Sequence, residues 1–340
     1  MVSGHGRRYR TGDEQLQPPR PRHHALNQIR ITLEWAARHG TVLLAACIFV
    51  GVAAPPLAAA LRDTLTVTVA GLMTLVLLRV DLAQVLSYLR RPLLVGALLV
   101  LLLIGCPLLV FAITRAAGLD GPLGAALVIM ATGCAATSSP AFARLVGLDA
   151  SISLVVAVTS TLLVPFTAPP LALGLLGIDL AISVGGLMAR LALIVGLPLL
   201  LALLIRRLVP TERLATWSGP VDGVVVLLLV MYGIGVMDGM QARLLAEPGW
   251  MLGGLALAFL GNLGLNAVTA LAAWPAGRRV ALAAGLLSGN RNMALYLAVL
   301  PAATDPRILL FFALCQFPLF LSPVLLRPLY DRLRNTGLGG

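Results

Sequence analysis

Residues 280–299 read VALAAGLLSGNRNMALYLAV, an apolar run interrupted at its centre by Ser288-Gly289-Asn290-Arg291-Asn292. The apolar halves, 280–287 and 293–303, are each too short to cross the about 30 Å hydrocarbon core of a bilayer at 1.5 Å rise per residue, but together they cross it. The reading is one membrane span broken in its middle. Gly289 is expected to end the first half in a left-handed cap, and Asn290 to start the second.

A second run has the same character. Residues 121–144 read GPLGAALVIMATGCAATSSPAFAR, broken at Gly133, then by Thr137, Ser138 and Ser139, and finally by Pro140. Pro140 has no N–H to give a continuing helix, yet proline is favoured in the first turn of a new one. Ser138 or Ser139 is expected to cap that half-helix.

Working outward, 59% of the 340 residues are hydrophobic and 11% are charged, with a mean hydropathy of +0.95. These values exclude a soluble enzyme, a disordered chain and a disulfide scaffold, and they leave a polytopic helical membrane protein. Continuous apolar runs also exclude a transmembrane barrel. Ten spans are expected, near 40–61, 64–80, 92–115, 121–147, 150–176, 180–205, 219–237, 250–274, 279–302 and 307–330. They form one unit over 39–332, between a basic tail at 1–38 and a short tail at 333–340. The N-terminal tail lacks the apolar core of a signal peptide.

The net charge is +11, and all 25 basic residues are arginine. Such an excess suggests nucleic acid in a soluble protein. Here 19 arginines fall in the tails and loops of one side, and only Arg62, Arg115, Arg243 and Arg307 on the other. That asymmetry places both termini in the cytoplasm and predicts no nucleic-acid partner. Trp35, Trp217, Trp250 and Trp274 fall at span ends, as an interfacial belt requires. The four cysteines stand singly in apolar runs, and all four histidines precede the first span, so no metal centre and no membrane enzyme is expected.

Two arginines remain inside spans, Arg190 and Arg291. A charge at the bilayer centre costs at least about 2.5–3.5 kcal/mol, so each needs a reason. Arg190 is expected to pair with a carboxylate, for which Asp222 is a candidate, or with free carbonyls. Ser139 and Arg291 lie 152 residues apart, half the span region, with an odd number of spans between the breaks. This spacing points to two inverted five-helix repeats, about 40–176 and 180–330, whose broken fourth and ninth spans cross at a midplane binding site. Half-helix N-termini and a guanidinium suit an anion. The expected binding residues are Thr137, Ser138, Ser139, Asn290, Arg291 and Asn292, with Asn266 beside Asn262 on span eight; Gly133, Pro140 and Gly289 make the breaks.

With these residues in place, the chain from about 40 to 332 resembles the bile acid:sodium symporter family and its bacterial ten-span members. The resemblance includes Leu89-Arg90-Arg91-Pro92 before span three, and it is sharpest from Cys134 to Leu162. There Ser139 matches the family's serine, Asp149 and Ser153 its Asp-x-x-x-Ser segment, and Ser160-Thr161 its Ser-Thr pair. In span nine Gly289 and Asn292 match a Glu-x-Gly-x-Gln-Asn pattern. The resemblance implies a panel of spans 1, 2, 6 and 7, a core of spans 3–5 and 8–10, organic-anion substrates and a bacterial inner-membrane location. It also implies two sodium ions, but here the pattern departs. Pro140 replaces the family's asparagine, Leu287 its glutamate, Arg291 its glutamine and Ala143 its threonine. None of these side chains is an oxygen ligand, so sodium coupling is expected to be lost or weakened, with no cofactor. The expected function is secondary transport of a small organic anion by alternating access. The alternatives are a receptor or scaffold that keeps the fold, or an efflux protein of a related branch, where Cys134 beside the first break would matter.

Overall fold

The computed structural model describes residues 21–80, 91–176, 182–301 and 303–335. The first twenty residues, Leu89-Arg90 of the loop signature and the last five residues lie outside the described residues.

The described chain is helical. Its elements are α1 (Pro21–Arg38), α2 (Gly40–Ala53), α3 (Pro55–Arg62), α4 (Leu65–Leu78), α5 (Pro92–Ala116), α6 (Pro122–Thr132), α7 (Ser139–Leu145), α8 (Ala150–Leu176) and α9 (Val184–Leu208). There follow α10 (Thr211–Thr216), α11 (Ser218–Gly235), α12 (Met240–Ala246), α13 (Pro248–Ala272), α14 (Arg278–Gly289), α15 (Met293–Val299), α16 (Pro306–Leu314) and α17 (Gln316–Asn335).

Among the described residues, six helices are long and apolar enough to cross a membrane, or up to eight if two bent pairs each count as one. The difference from ten has local causes. Pro55 restarts the chain after α2, so the run 40–61 becomes two helices, and α3 meets α4 at 70°. The runs 121–147 and 279–302 are each divided by the breaks at 133–138 and 290–292.

Two groups of helices build the molecule. Helices α1 to α4 pack around α11, with α9 against α4. In the second group, α13 packs along α14, and α6 lies among α5, α8 and α16. Contacts of α9 with α8 and α15 join the groups. The α13–α14 contact depends on two glycines one helical turn apart. A Cβ on Gly285 would sit 2.5 Å from the Asn266 carbonyl oxygen, and one on Gly289 would sit 2.6 Å from that of Asn262. No side chain fits there, so the backbones touch, as small residues allow between membrane helices.

One local distortion positions the site. Within α5 the Cys106 N–H donates to the Leu101 carbonyl, five residues back, which opens a π-turn over Leu101–Gly105. Continuing that pattern needs an N–H at residue 107 for the Leu102 carbonyl, and Pro107 has none. The Leu102 carbonyl is therefore left without a helical donor deep in the protein.

The crossing of two broken helices

The two breaks lie against each other as a short antiparallel bridge pairing Ala135 with Arg291. The Ala136 N–H donates to the Asn290 carbonyl at 2.8 Å, and the Asn292 N–H donates to the Cys134 carbonyl at 2.9 Å. Each break thus satisfies backbone groups that the other leaves open, which is what non-helical backbone at membrane depth requires. Just outside the bridge, the Thr132 and Tyr296 hydroxyls hydrogen-bond to each other, tying α6 to α15.

The Arg291 guanidinium takes three further orphan carbonyls. Its Nε donates to Ser288 O at 2.7 Å, and its Nη1 donates to Gly133 O at 2.8 Å and Leu102 O at 3.0 Å. The Ser288 carbonyl is free because the Asn292 N–H, its helical donor, points instead at Cys134. The Gly133 carbonyl is free because the helix ends there. Three interruptions in three segments therefore converge on one cation, which is 3% exposed. Its Nη2 has no partner among the described residues.

The sequence-level site residues separate into two sets. Ser139, Asn290, Arg291, Asn292 and Asn266 are all buried in the crossing or behind it. Asn290 Oδ1 accepts from Asn262 Nδ2 and Ser322 Oγ, and Asn266 is paired with the Tyr330 hydroxyl. Ser139 Oγ has no partner among the described residues. Thr137, Ser138 and Pro140 instead line an open cavity of about 750 Å³ between the two helix groups. The expected caps are not made. Ser138 precedes α7 without a side-chain hydrogen bond, and Gly289 stays helical, outside the left-handed region. The chain turns at Asn290 and Asn292, and the bridge replaces the caps.

The cavity carries charge that the motif reading missed. Arg38, Arg79 and Arg144 line it together with Asp222, above apolar walls that include Leu72, Val226 and Leu229. Asp222 forms its ion pair with Arg79, not with Arg190. Among the described residues, three guanidiniums against one carboxylate make the cavity lining electropositive. The signal lay in the sequence, since Arg79 and Arg144 end the second and fourth apolar runs, but there they counted only as orientation markers.

At positions where the family resemblance implies sodium ligands, the side chains of Pro140 and Leu287 carry no oxygen, and the carbonyls of Leu102, Gly133 and Ser288 accept from the guanidinium of Arg291.

No curated protein matches the chain. The family model of the Sodium Bile acid symporter family matches residues 66–248, more than half of the chain, from α4 across the first break to the start of α13. The charged cavity and the first break both fall largely within that match. The chain belongs to the sodium bile acid symporter family, a family of membrane transporters.

Proposed function

We propose that the protein is a secondary transporter of a small organic anion, of the carboxylate or sulfate class, that works by alternating access without sodium coupling. The reading rests on one observation: the Arg291 guanidinium occupies the carbonyl cluster at the crossing. A fixed cation there holds the two breaks together in the way a bound metal ion would, and it cannot leave. Arg291 is thus a structural replacement for a coupling ion. Contact with the substrate falls to Thr137, Ser138, Arg144 and Arg38, which line the cavity.

In this reading the ten apolar runs form two inverted five-helix repeats. The group around α11 is the panel, and the group containing α6, α7, α14 and α15 is the core. The protein lies in a bacterial inner membrane with both termini cytoplasmic. The 19-to-4 arginine asymmetry supports that orientation, and with it a cytoplasmic mouth for the cavity lined by Arg38, Arg79 and Arg144. Movement of core against panel would close this mouth and open the other side.

The test is uptake into proteoliposomes of radiolabelled taurocholate, an aryl sulfate and a short carboxylate, in sodium and in choline buffers. Saturable uptake of at least one probe at the same rate in both buffers is the expected result. Uptake that needs sodium overturns the loss of coupling, and no uptake of any probe overturns transport itself.

A further inference from the structure

Arg190 is the intramembrane charge that the crossing does not use. It stands on α9, which at 25 residues is about 38 Å long against a hydrocarbon core of about 30 Å. With the helix centred in the bilayer, the Arg190 Cα lies about 5 Å inside the hydrocarbon edge nearest Val184. The adjoining face of the helix, through Leu187, Leu191, Val195, Pro198 and Ala202, is buried. Arg190 is exposed and heads the edge of a lipid-facing stripe that continues through Leu193, Leu197, Leu200, Leu204 and Leu208, all exposed.

Among the described residues its one hydrogen bond runs from Nη1 to the Val299 carbonyl at 3.0 Å, the last carbonyl of α15. No carboxylate pairs with it among the described residues. The guanidinium lies in a groove of about 340 Å³, walled by Leu193, Ile194, Leu197 and Pro198 of α9 and by Ala298 of α15. A guanidinium at this depth with no carboxylate among the described residues is stabilised by reaching the interface or by an anion, and the groove beside it has an apolar lining. A free solute anion has no reason to enter such a groove, whereas a lipid phosphate lies just beyond the hydrocarbon edge, within reach of an arginine that extends toward the interface.

We propose that this groove is a phospholipid headgroup site. Arg190 binds the phosphate of an anionic lipid, and one acyl chain lies along Leu193 and Leu197. The lipid bridges α9 and α15, which belong to different helix groups. This site is independent of the transport reading.

The experiment incubates the purified full-length protein in detergent with dioleoyl phosphatidylglycerol or with dioleoylglycerol, which has the same chains and no phosphate. Retained lipid is counted by native mass spectrometry. One basic residue near a bilayer surface is worth about 1 kcal/mol, so the wild type should retain phosphatidylglycerol over dioleoylglycerol by about fivefold. Arg190→Gln should remove the preference, and Arg190→Lys should keep part of it. Leu197→Trp fills the groove without touching the charge or the Val299 bond, so it decides the matter if Arg190→Gln does not fold. Loss of retention in Leu197→Trp supports the site. Equal retention by wild type and Leu197→Trp, equal retention by wild type and folded Arg190→Gln, or no preference in the wild type overturns it. Displacement of the lipid by inorganic phosphate alone also overturns it, because the site would then belong to a soluble anion.

Discussion

The Arg291 guanidinium donates to the carbonyl of Leu102, 189 residues earlier, and that carbonyl is free because Pro107 withholds the helical N–H. A proline in one helix and an arginine in the break of another are thus parts of one arrangement. The coupling can be measured. Replacing Arg291 by Gln takes the guanidinium from three buried carbonyls, and each buried acceptor left unsatisfied costs about 1–3 kcal/mol. Pro107→Ala restores an N–H for α5, so in its background the Arg291→Gln loss should be smaller. A thermal-denaturation double-mutant cycle should return a coupling of about 0.5–3 kcal/mol. Strict additivity would mean that the two residues are not linked.

Arg291→Lys separates charge from geometry. Lysine keeps the positive charge, but a single ammonium on a flexible stem lacks the planar fork that reaches three carbonyls at once. The variant should therefore unfold at a temperature between those of Arg291→Gln and wild type. A Lys variant as stable as wild type would show that charge alone suffices at the crossing.

The contact of α13 with α14 makes a steric prediction. Gly289→Ala puts a methyl group 2.6 Å from the Asn262 carbonyl oxygen, a backbone atom that cannot move alone. Forcing a methyl into such a contact costs about 1–3 kcal/mol. It should also disturb the Asn262 amide, which donates to Gly289 O at 2.7 Å. Gly264→Ala, on the facing helix α13 with open space around it, is the control and should change stability little. Equal effects of the two substitutions would remove the close-packing argument.

Much of this arrangement could be read from the chain, and the limits of that reading were physical. The breaks were legible because Gly133, Pro140 and the polar run 288–292 interrupt apolar segments at a depth where polar groups need a reason. The partners of Arg291 were not legible, since all three are backbone carbonyls, and a carbonyl leaves no mark in sequence. Pro107 was the available clue, but a proline inside an apolar run normally reads only as a kink. Arg291 also points away from the cavity, which no periodicity argument could reveal inside a non-helical segment. The ion pair of Asp222 with Arg79 joins two spans far apart in sequence, so only the fold selects it over Arg190.

That ion pair gives a prediction about the cavity. Both side chains are partly exposed, at 34% for Arg79 and 43% for Asp222, so the pair contributes at most about 1 kcal/mol to stability. Asp222→Asn should leave the melting temperature nearly unchanged. Its larger effect is electrostatic, since among the described residues it removes the one carboxylate that lines the cavity beside three guanidiniums. Binding of an anionic probe should tighten and become more sensitive to ionic strength. Weaker binding in Asp222→Asn would mean that Asp222 orients the anion directly.

A carrier without a coupling cation moves charge, and the sign of that charge is testable. Each monoanion entering alone carries one negative charge inward, and a potential of 100 mV is worth about 2.3 kcal/mol per charge. In proteoliposomes clamped with valinomycin and a potassium gradient, an inside-negative potential should slow anion uptake and an inside-positive one should speed it. A carrier that moves two sodium ions with each monoanion transfers net positive charge and responds in the opposite direction. Faster uptake under an inside-negative potential would therefore sink the uncoupled reading. The expected sign has a consequence for direction: in a cell with a negative interior the same cycle runs outward. The electropositive cavity whose mouth holds Arg38, Arg79 and Arg144 would then be the loading side of an exporter.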